Sequence, residues 1–218
     1  MADSTRDASA LVRENIERDG IVRQGLARGL INARALARTI QLANPRGASF
    51  DAILSAIRRY PITDIATKRR AIGKMILKLS MKNNVSVLSM RNLPDVQMAI
   101  ARFAGETDYA HGQTFRVISG TEMISVTVDS KNVSKLESKI SREYVRRQLD
   151  ELAELVVDMV PDIEGTSGVL SAVTTELTIN DVNVVQLSTV GPGRITILVK
   201  GRDATKAYLA LEGLSKAK

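Results

Sequence analysis

Residues 164–214, EGTSGVLSAVTTELTINDVNVVQLSTVGPGRITILVKGRDATKAYLALEGL, decide how the rest of the chain is read. Before them lies a strand-like apolar run, Leu155 to Val160, closed by Pro161. Small loop residues lead into a helical pattern with Val169, Leu170, Val173 and Leu177 on one face. A β-branched run from Val182 to Thr189, a Gly191-Pro192-Gly193 turn and a second run from Ile195 to Val199 form a hairpin signal. Gly201 closes that strand. Asp203 is placed to cap a helix with Ala204, Ala207, Tyr208, Leu211 and Leu214 on one stripe. Strand, helix, hairpin, helix is an order that builds an antiparallel sheet with its helices on one face.

These residues resemble an ACT domain, the small ligand-sensing module of amino-acid metabolism. Ser167-Gly168-Val169-Leu170 fall where that family reads Pro-Gly-Val-Leu. Asp181-Val182-Asn183-Val184 fall where it reads Gly-Ile-Asn-Ile, and Lys206 to Leu211 has the expected closing-helix character. Ser167 and Asp181 depart from the family's proline and glycine, and the family's fourth strand is missing after the last helix. The resemblance implies an effector between the first loop and the exit of the first helix, at a dimer interface. The ligand-binding residues would be Ser167, Gly168, Val169, Asp181 and Asn183. Asn183 offers the donor and acceptor that an amino-acid headgroup needs. Asp181 repels a carboxylate and attracts an ammonium.

Composition bounds the alternatives. The chain has 218 residues, 44% hydrophobic and 25% charged, a balance typical of globular proteins. Only 3% are aromatic, which argues for aliphatic cores and against base-stacking platforms. With no cysteine there are no disulfides, thiolate nucleophiles or cysteine metal sites. No apolar run reaches the ~20 residues of a membrane span. The charged first fifteen residues do not read as a secretory signal. A cytoplasmic protein without membrane contact is expected.

The net charge of +7 is uneven. Residues 1–82 hold sixteen Lys and Arg against seven Asp and Glu, a net of +9, whereas residues 83–218 carry −2. A basic end of this kind points to a polyanion or to a solvated surface. Four helices are expected there. The first is capped by Ser4 or Asp7 and buries Leu11, Val12 and Ile16; a short one follows to Arg28. After Gly29, Asn32 caps a third from Ala33 to Leu42; Ser49 caps a fourth, closed by Pro61. The outline of the second and third is that of a helix-turn-helix. Arg34, Arg38 and Gln41 share one face of the third helix, and their side-chain types reach phosphates and base edges. They are the candidate DNA-binding residues. Tri-helical adaptors use the same geometry.

The run GLINARALARTI, from Gly29, is similar to a segment in an archaeal group of regulatory proteins. In that group a helical Gly-Leu-Ile-Asn-x-x-Ala-Leu-Ala-Arg segment precedes ACT-type modules. The resemblance implies architecture and a sensing role, since the group carries no established reaction.

The middle of the chain repeats the terminal order. A basic connecting helix is expected from Asp64 to Met81, then a strand from Asn84 to Met90 and a helix opened by Pro94. A hairpin is expected from Phe115 to Val128 and a further helix from Asn132 to Leu152. The expected fold class is therefore α+β. A helix-turn-helix-like domain (1–62) and a connecting helix (63–82) precede two ACT-like modules (83–150 and 151–218) with antiparallel, ferredoxin-like βαββα sheets. Each module lacks a last strand, so the two can complete one another in a single sheet.

Catalytic motifs are absent: no Walker loop, dinucleotide fingerprint or nucleophile elbow occurs. The single histidine, His111, cannot form a metal cluster alone. The expectation is a non-enzymatic protein without cofactor or metal, a homodimer that senses an amino acid. Three outputs stand open: DNA binding, docking on an amino-acid metabolic enzyme, and a structural oligomer without ligand.

Overall fold

A computed structural model describes residues 7–61 and 65–216. The expected cap Ser4 and helix start Asp64 lie outside them. The chain forms two compact units, Met1–Ala71 and Ile72–Lys218.

The first unit is helical, and its breaks follow local chemistry. Asp7 accepts from the Ser9 amide (3.3 Å) and caps α1 (Ala8–Arg18). Asp19 ends that helix and caps α2 (Gly20–Ala27) by accepting from Ile21 and Val22. Gly29 takes φ +66°, the left-handed turn that closes a helix. Asn32 then caps α3 (Ala33–Ala43), and Ser49 caps α4 (Phe50–Arg59), which ends before Pro61. The core joins Leu11, Val12 and Ile16 of α1, Ala37 and Ile40 of α3, and Ile53, Leu54 and Ile57 of α4. Each large aliphatic side chain buried there contributes about 1.5–3 kcal/mol. No residue of α2 is fully buried.

The helix expected to reach Met81 stops sooner: α5 (Ile65–Lys74) is followed by the sixteen-residue strand β1 (Ile76–Arg91). The every-fourth spacing of Lys74, Lys78 and Lys82 reads as a helical stripe, but Lys78 and Lys82 lie on this strand. Gly73 explains the close fit at the turn, because a Cβ there would lie 2.1 Å from the Leu214 carbonyl oxygen.

From β1 the chain runs α6 (Pro94–Gly105), β2 (Phe115–Ser119), β3 (Met123–Asp129) and α7 (Val133–Glu137). It continues through β4 (Val145–Met159), α8 (Val169–Ile179), β5 (Val184–Thr189), β6 (Arg194–Lys200) and α9 (Ala204–Lys216). The expected helix over 132–152 is corrected here: α7 has five residues, and β4 begins at Val145. The charged run of Arg146, Arg147, Asp150 and Glu151 mimics a wet helix face. The strand that carries it instead pairs with the later part of β1, Val85 to Met90.

The six strands form one antiparallel sheet in the order β2-β3-β1-β4-β6-β5. Its two long strands do double duty. Val85 to Arg91 pair with β3, while the earlier part of β1 from Ile76 to Lys82 pairs with Met159 to Glu154. Asn84 (φ +59°) and Glu151 (φ +56°) sit where the β1–β4 register shifts, so both strands carry an irregularity at the same level.

Side-chain alternation sorts the sheet's two faces. One carries Leu88, Met90, Val126 and Val128 into a core with α6 and α7. The same face carries Leu155, Val157, Ile195 and Ile197 into a second core with α8 and α9. Alternating residues point the other way: Val85, Val87, Leu152 and Leu198 form a cluster made only of strand residues. Val85 is 0% exposed and Leu198 2%, although no helix is part of that cluster.

Candidate functional site

The end of β1 opens into a pocket of about 340 Å³ lined by Arg91, Asn92, Leu93, Glu122, Met123 and Arg146. Strand pairing assembles it. Arg91 pairs with Met123 on one side, and Met90 pairs with Val145 on the other, which brings the start of β4 alongside. Asn92 is held from three directions. Its amide donates to the Glu122 carbonyl (2.8 Å), its side-chain nitrogen donates to the Gly120 carbonyl (2.6 Å), and its side-chain oxygen accepts from Gln97 (2.7 Å).

Leu93 caps α6 without a side-chain hydrogen bond, and Pro94 opens the helix. The first-turn amides of α6, next to the pocket-lining Leu93 in sequence, therefore have no capping side chain. Arg146 donates to the Glu143 carbonyl (3.1 Å), which leaves most of its guanidinium for other partners. Two guanidinium groups, helix-start amides and one carboxylate suit a ligand that carries both an acid and an amine.

The expected residues around α8 occupy its two ends. Gly168 caps the helix in the left-handed conformation (φ +92°), with Ser167 exposed before it and Val169 buried beneath it. Asp181 and Asn183 are exposed beyond the other end. An eleven-residue helix separates the groups by about 16 Å. One chain thus does not bring all five into a single pocket. Asp181 also has φ +48°, a left-handed conformation that explains glycine at this place in ACT domains.

On the sheet face opposite α6 to α9, the side chain of Arg116 on β2 meets that of Glu154 on β4, which is 6% exposed. Burial, and then the charge of Arg194, push the Arg116 guanidinium below its ordinary value. Arg194 in turn pairs with Asp158 at 2.5 Å, and that contact holds its own pKa up. Lys82 Nζ forms an ion pair with Asp129 (2.5 Å) and donates to the Gly112 carbonyl (2.7 Å) and Thr114 (2.8 Å), tying the loop before β2 to β3.

In the helical unit, Arg34 and Arg38 are exposed on α3 and Gln41 is half-buried, while Ala37 and Ile40 face the core. Ten arginines precede the chain's first lysine, Lys68. Among the described residues, no group of three or more His, Asp or Glu could hold a metal ion. No helix among them is long and apolar enough to cross a membrane.

The chain superposes on the regulatory subunit of aspartate kinase from Thermus thermophilus with a TM-score of 0.52 and 13% identity. The match covers 65% of this chain and 99% of that one. Its fold is similar to that of an aspartate kinase regulatory subunit. The subunit from Thermus flavus gives a TM-score of 0.52 at 12% identity over 65% and 99% of the two chains. Aspartate kinase from Clostridium acetobutylicum, an allosteric enzyme, gives 0.53 at 14% identity. Here the match covers 65% of this chain and only 35% of the enzyme, so the chain spans about a third of its length. No family model matches the sequence, and no curated protein matches it significantly. The ACT resemblance read from residues 164–214 therefore holds at the level of the fold.

The pocket residues escaped the sequence reading because Arg91 and Arg146 meet only through the β1–β4 pairing. One signal was present. Asn92-Leu93-Pro94 joins a strand to a helix, as Ser167-Gly168-Val169 does later in the chain.

Proposed function

We propose that this chain is a non-catalytic regulatory protein that senses an amino acid through the unit spanning residues 72–218. The observation that carries the reading is the pocket at the end of β1, set in a fold shared with aspartate kinase regulatory subunits. In it Arg91 and Arg146 bind the ligand's carboxylate beside the first turn of α6, and Glu122 binds its ammonium.

The sheet reads as two interlocked ACT-like modules. The later part of β1 opens the first, and β4 closes it and opens the second. The early part of β1 lies beside β4, in the position of the second module's fourth strand. A homodimer would bring Ser167, Gly168 and Val169 of one chain to Asp181 and Asn183 of another, completing a second ligand position. Calorimetry with the twenty amino acids separates the two positions. Arg146→Ala should weaken binding at least tenfold if the first pocket is occupied, whereas Asn183→Ala should do so if the α8 position is. Equal affinity in wild type and both variants would defeat the proposal.

For the output, the helical unit, whose first ten basic residues are all arginine, favours a phosphate partner, because guanidinium groups engage phosphates two bonds at a time. We read α2 and α3 as a helix-turn-helix that places Arg34, Arg38 and Gln41 on duplex DNA. Arg34→Ala with Arg38→Ala should reduce the salt slope of duplex binding by about two. No binding by wild type at low salt would leave docking on a metabolic enzyme as the output. The Thermus chains are regulatory subunits of aspartate kinase, which favours that second reading.

A further inference from the structure

The strand order fixes how charge is laid out across the pocket at the end of β1. There β1 lies between β3 and β4. Glu122 immediately precedes β3, Arg91 ends β1, and Arg146 is the second residue of β4. The carboxylate therefore belongs to one side of the pocket, one guanidinium to its middle and the other guanidinium to its far side. The backbones that carry Glu122 and Arg146 are two strand spacings apart, about 10 Å.

These three charges do not satisfy one another. Among the described residues the side chains of Arg91 and Glu122 form no ion pair or hydrogen bond, although both line the same cavity. Arg146 makes one bond, to the Glu143 carbonyl. A guanidinium carries five donors, whereas a carboxylate has about four acceptor sites. A single carboxylate thus leaves about half of the free donors of the two arginines unused. The lining as a whole carries one positive charge in excess.

Its apolar part is Leu93 and Met123, with no aromatic ring and no β-branched side chain. A volume of about 340 Å³ is at the small end of ligand cavities. Both features favour a short ligand recognised by charge over a bulky apolar one.

We propose that the ligand of this pocket is an amino acid with an acidic side chain, and that Arg146 selects it by binding the second carboxylate. The inference rests on the reading of the pocket as an amino-acid site. Glu122 takes the ammonium, Arg91 beside the start of α6 takes the α-carboxylate, and Arg146 reaches on from it to the carboxylate of the side chain. The ligand's net negative charge then offsets the positive excess of the lining. An amide of the same shape leaves Arg146 without its counter-charge, and a basic side chain meets it as a like charge.

Calorimetry on the full chain with L-aspartate, L-glutamate, L-asparagine, L-glutamine and L-lysine tests the proposal. One of the two acids should bind at least about tenfold more tightly than its own amide, and lysine should bind more weakly than either. Arg146 is exposed and bonded only to a nearby carbonyl, so Arg146→Gln should leave the melting temperature unchanged. In that variant the acid should fall to within about threefold of its amide, because the charge-assisted bonds to the second carboxylate are gone. An amide or lysine that binds wild type as tightly as the acid overturns the inference while leaving the pocket an amino-acid site. A preference for the acid that survives Arg146→Gln overturns it as well. Binding by none of the twenty amino acids overturns the amino-acid reading itself. If Arg146→Gln does not fold, the ratio of acid to amide in wild type decides the ligand class alone.

Discussion

Gly193 gives a prediction whose size follows from two separable costs. It has φ +73°, and a Cβ built there would lie 2.5 Å from the Met159 carbonyl oxygen and 2.9 Å from that of Val160. Its own carbonyl accepts from the Met159 amide at 2.7 Å, so the hairpin cannot back away without losing that bond. Alanine in the left-handed region costs roughly 1–2 kcal/mol. Loss or distortion of the hydrogen bond adds about 1 kcal/mol. Gly193→Ala should therefore destabilise by about 2–3 kcal/mol. Gly191, in the same turn, has φ +70° but nothing within 4 Å of its Cβ position. Gly191→Ala should cost only the backbone part, about 1–2 kcal/mol. Urea unfolding of the full chain measures both, with the slope m unchanged as the check that the unfolded state is the same. Equal losses in the two variants would refute the close approach, and a neutral Gly193→Ala would refute the hairpin geometry itself.

Two other outcomes follow from single residues. Asp181→Gly removes a side chain from a left-handed position but adds unfolded-state freedom, so stability should change by less than about 1 kcal/mol; a large loss in urea unfolding would mean that the Asp181 side chain makes a contact of its own. Glu106, held below the usual carboxylate range by Lys139 and then Lys135, contributes stability above its unfolded pKa and loses it as pH falls through its folded one. Glu106→Gln should therefore flatten the acid side of the melting-temperature profile, and an unaltered profile would show that these surface contacts contribute nothing.

The elements that local chemistry determines were legible in the sequence. Asn32 and Ser49 mark the starts of α3 and α4 because an N-cap side chain satisfies amides two or three residues ahead. The hairpin of β5 and β6 was readable because the Gly-Pro-Gly turn lies between two β-branched runs. The central strands were not. Lys78, Lys82, Arg146, Arg147 and Glu154 interrupt the alternation expected of β1 and β4, and Lys82 and Glu154 meet opposite charges only after folding. Lys82 finds Asp129 and Glu154 finds Arg116, partners 47 and 38 residues away. The site divided in the same way. Ser167 to Val169 and Asp181 to Asn183 were suggested by resemblance, and α8 holds the two groups apart. The pocket at Arg91 and Arg146 required the strand pairing that the charged run obscured.

Ligand binding to the full chain tests the central claim most directly. A ligand that binds only the folded state raises the melting temperature in proportion to the logarithm of its concentration. At one hundred times its dissociation constant, the stabilisation is about 2.7 kcal/mol. A thermal-shift screen of the twenty amino acids should therefore single out one or a few that raise the melting temperature of wild type, with the rise lost in Arg146→Ala if the pocket is their site. No shift with any amino acid at millimolar concentration would contradict the account.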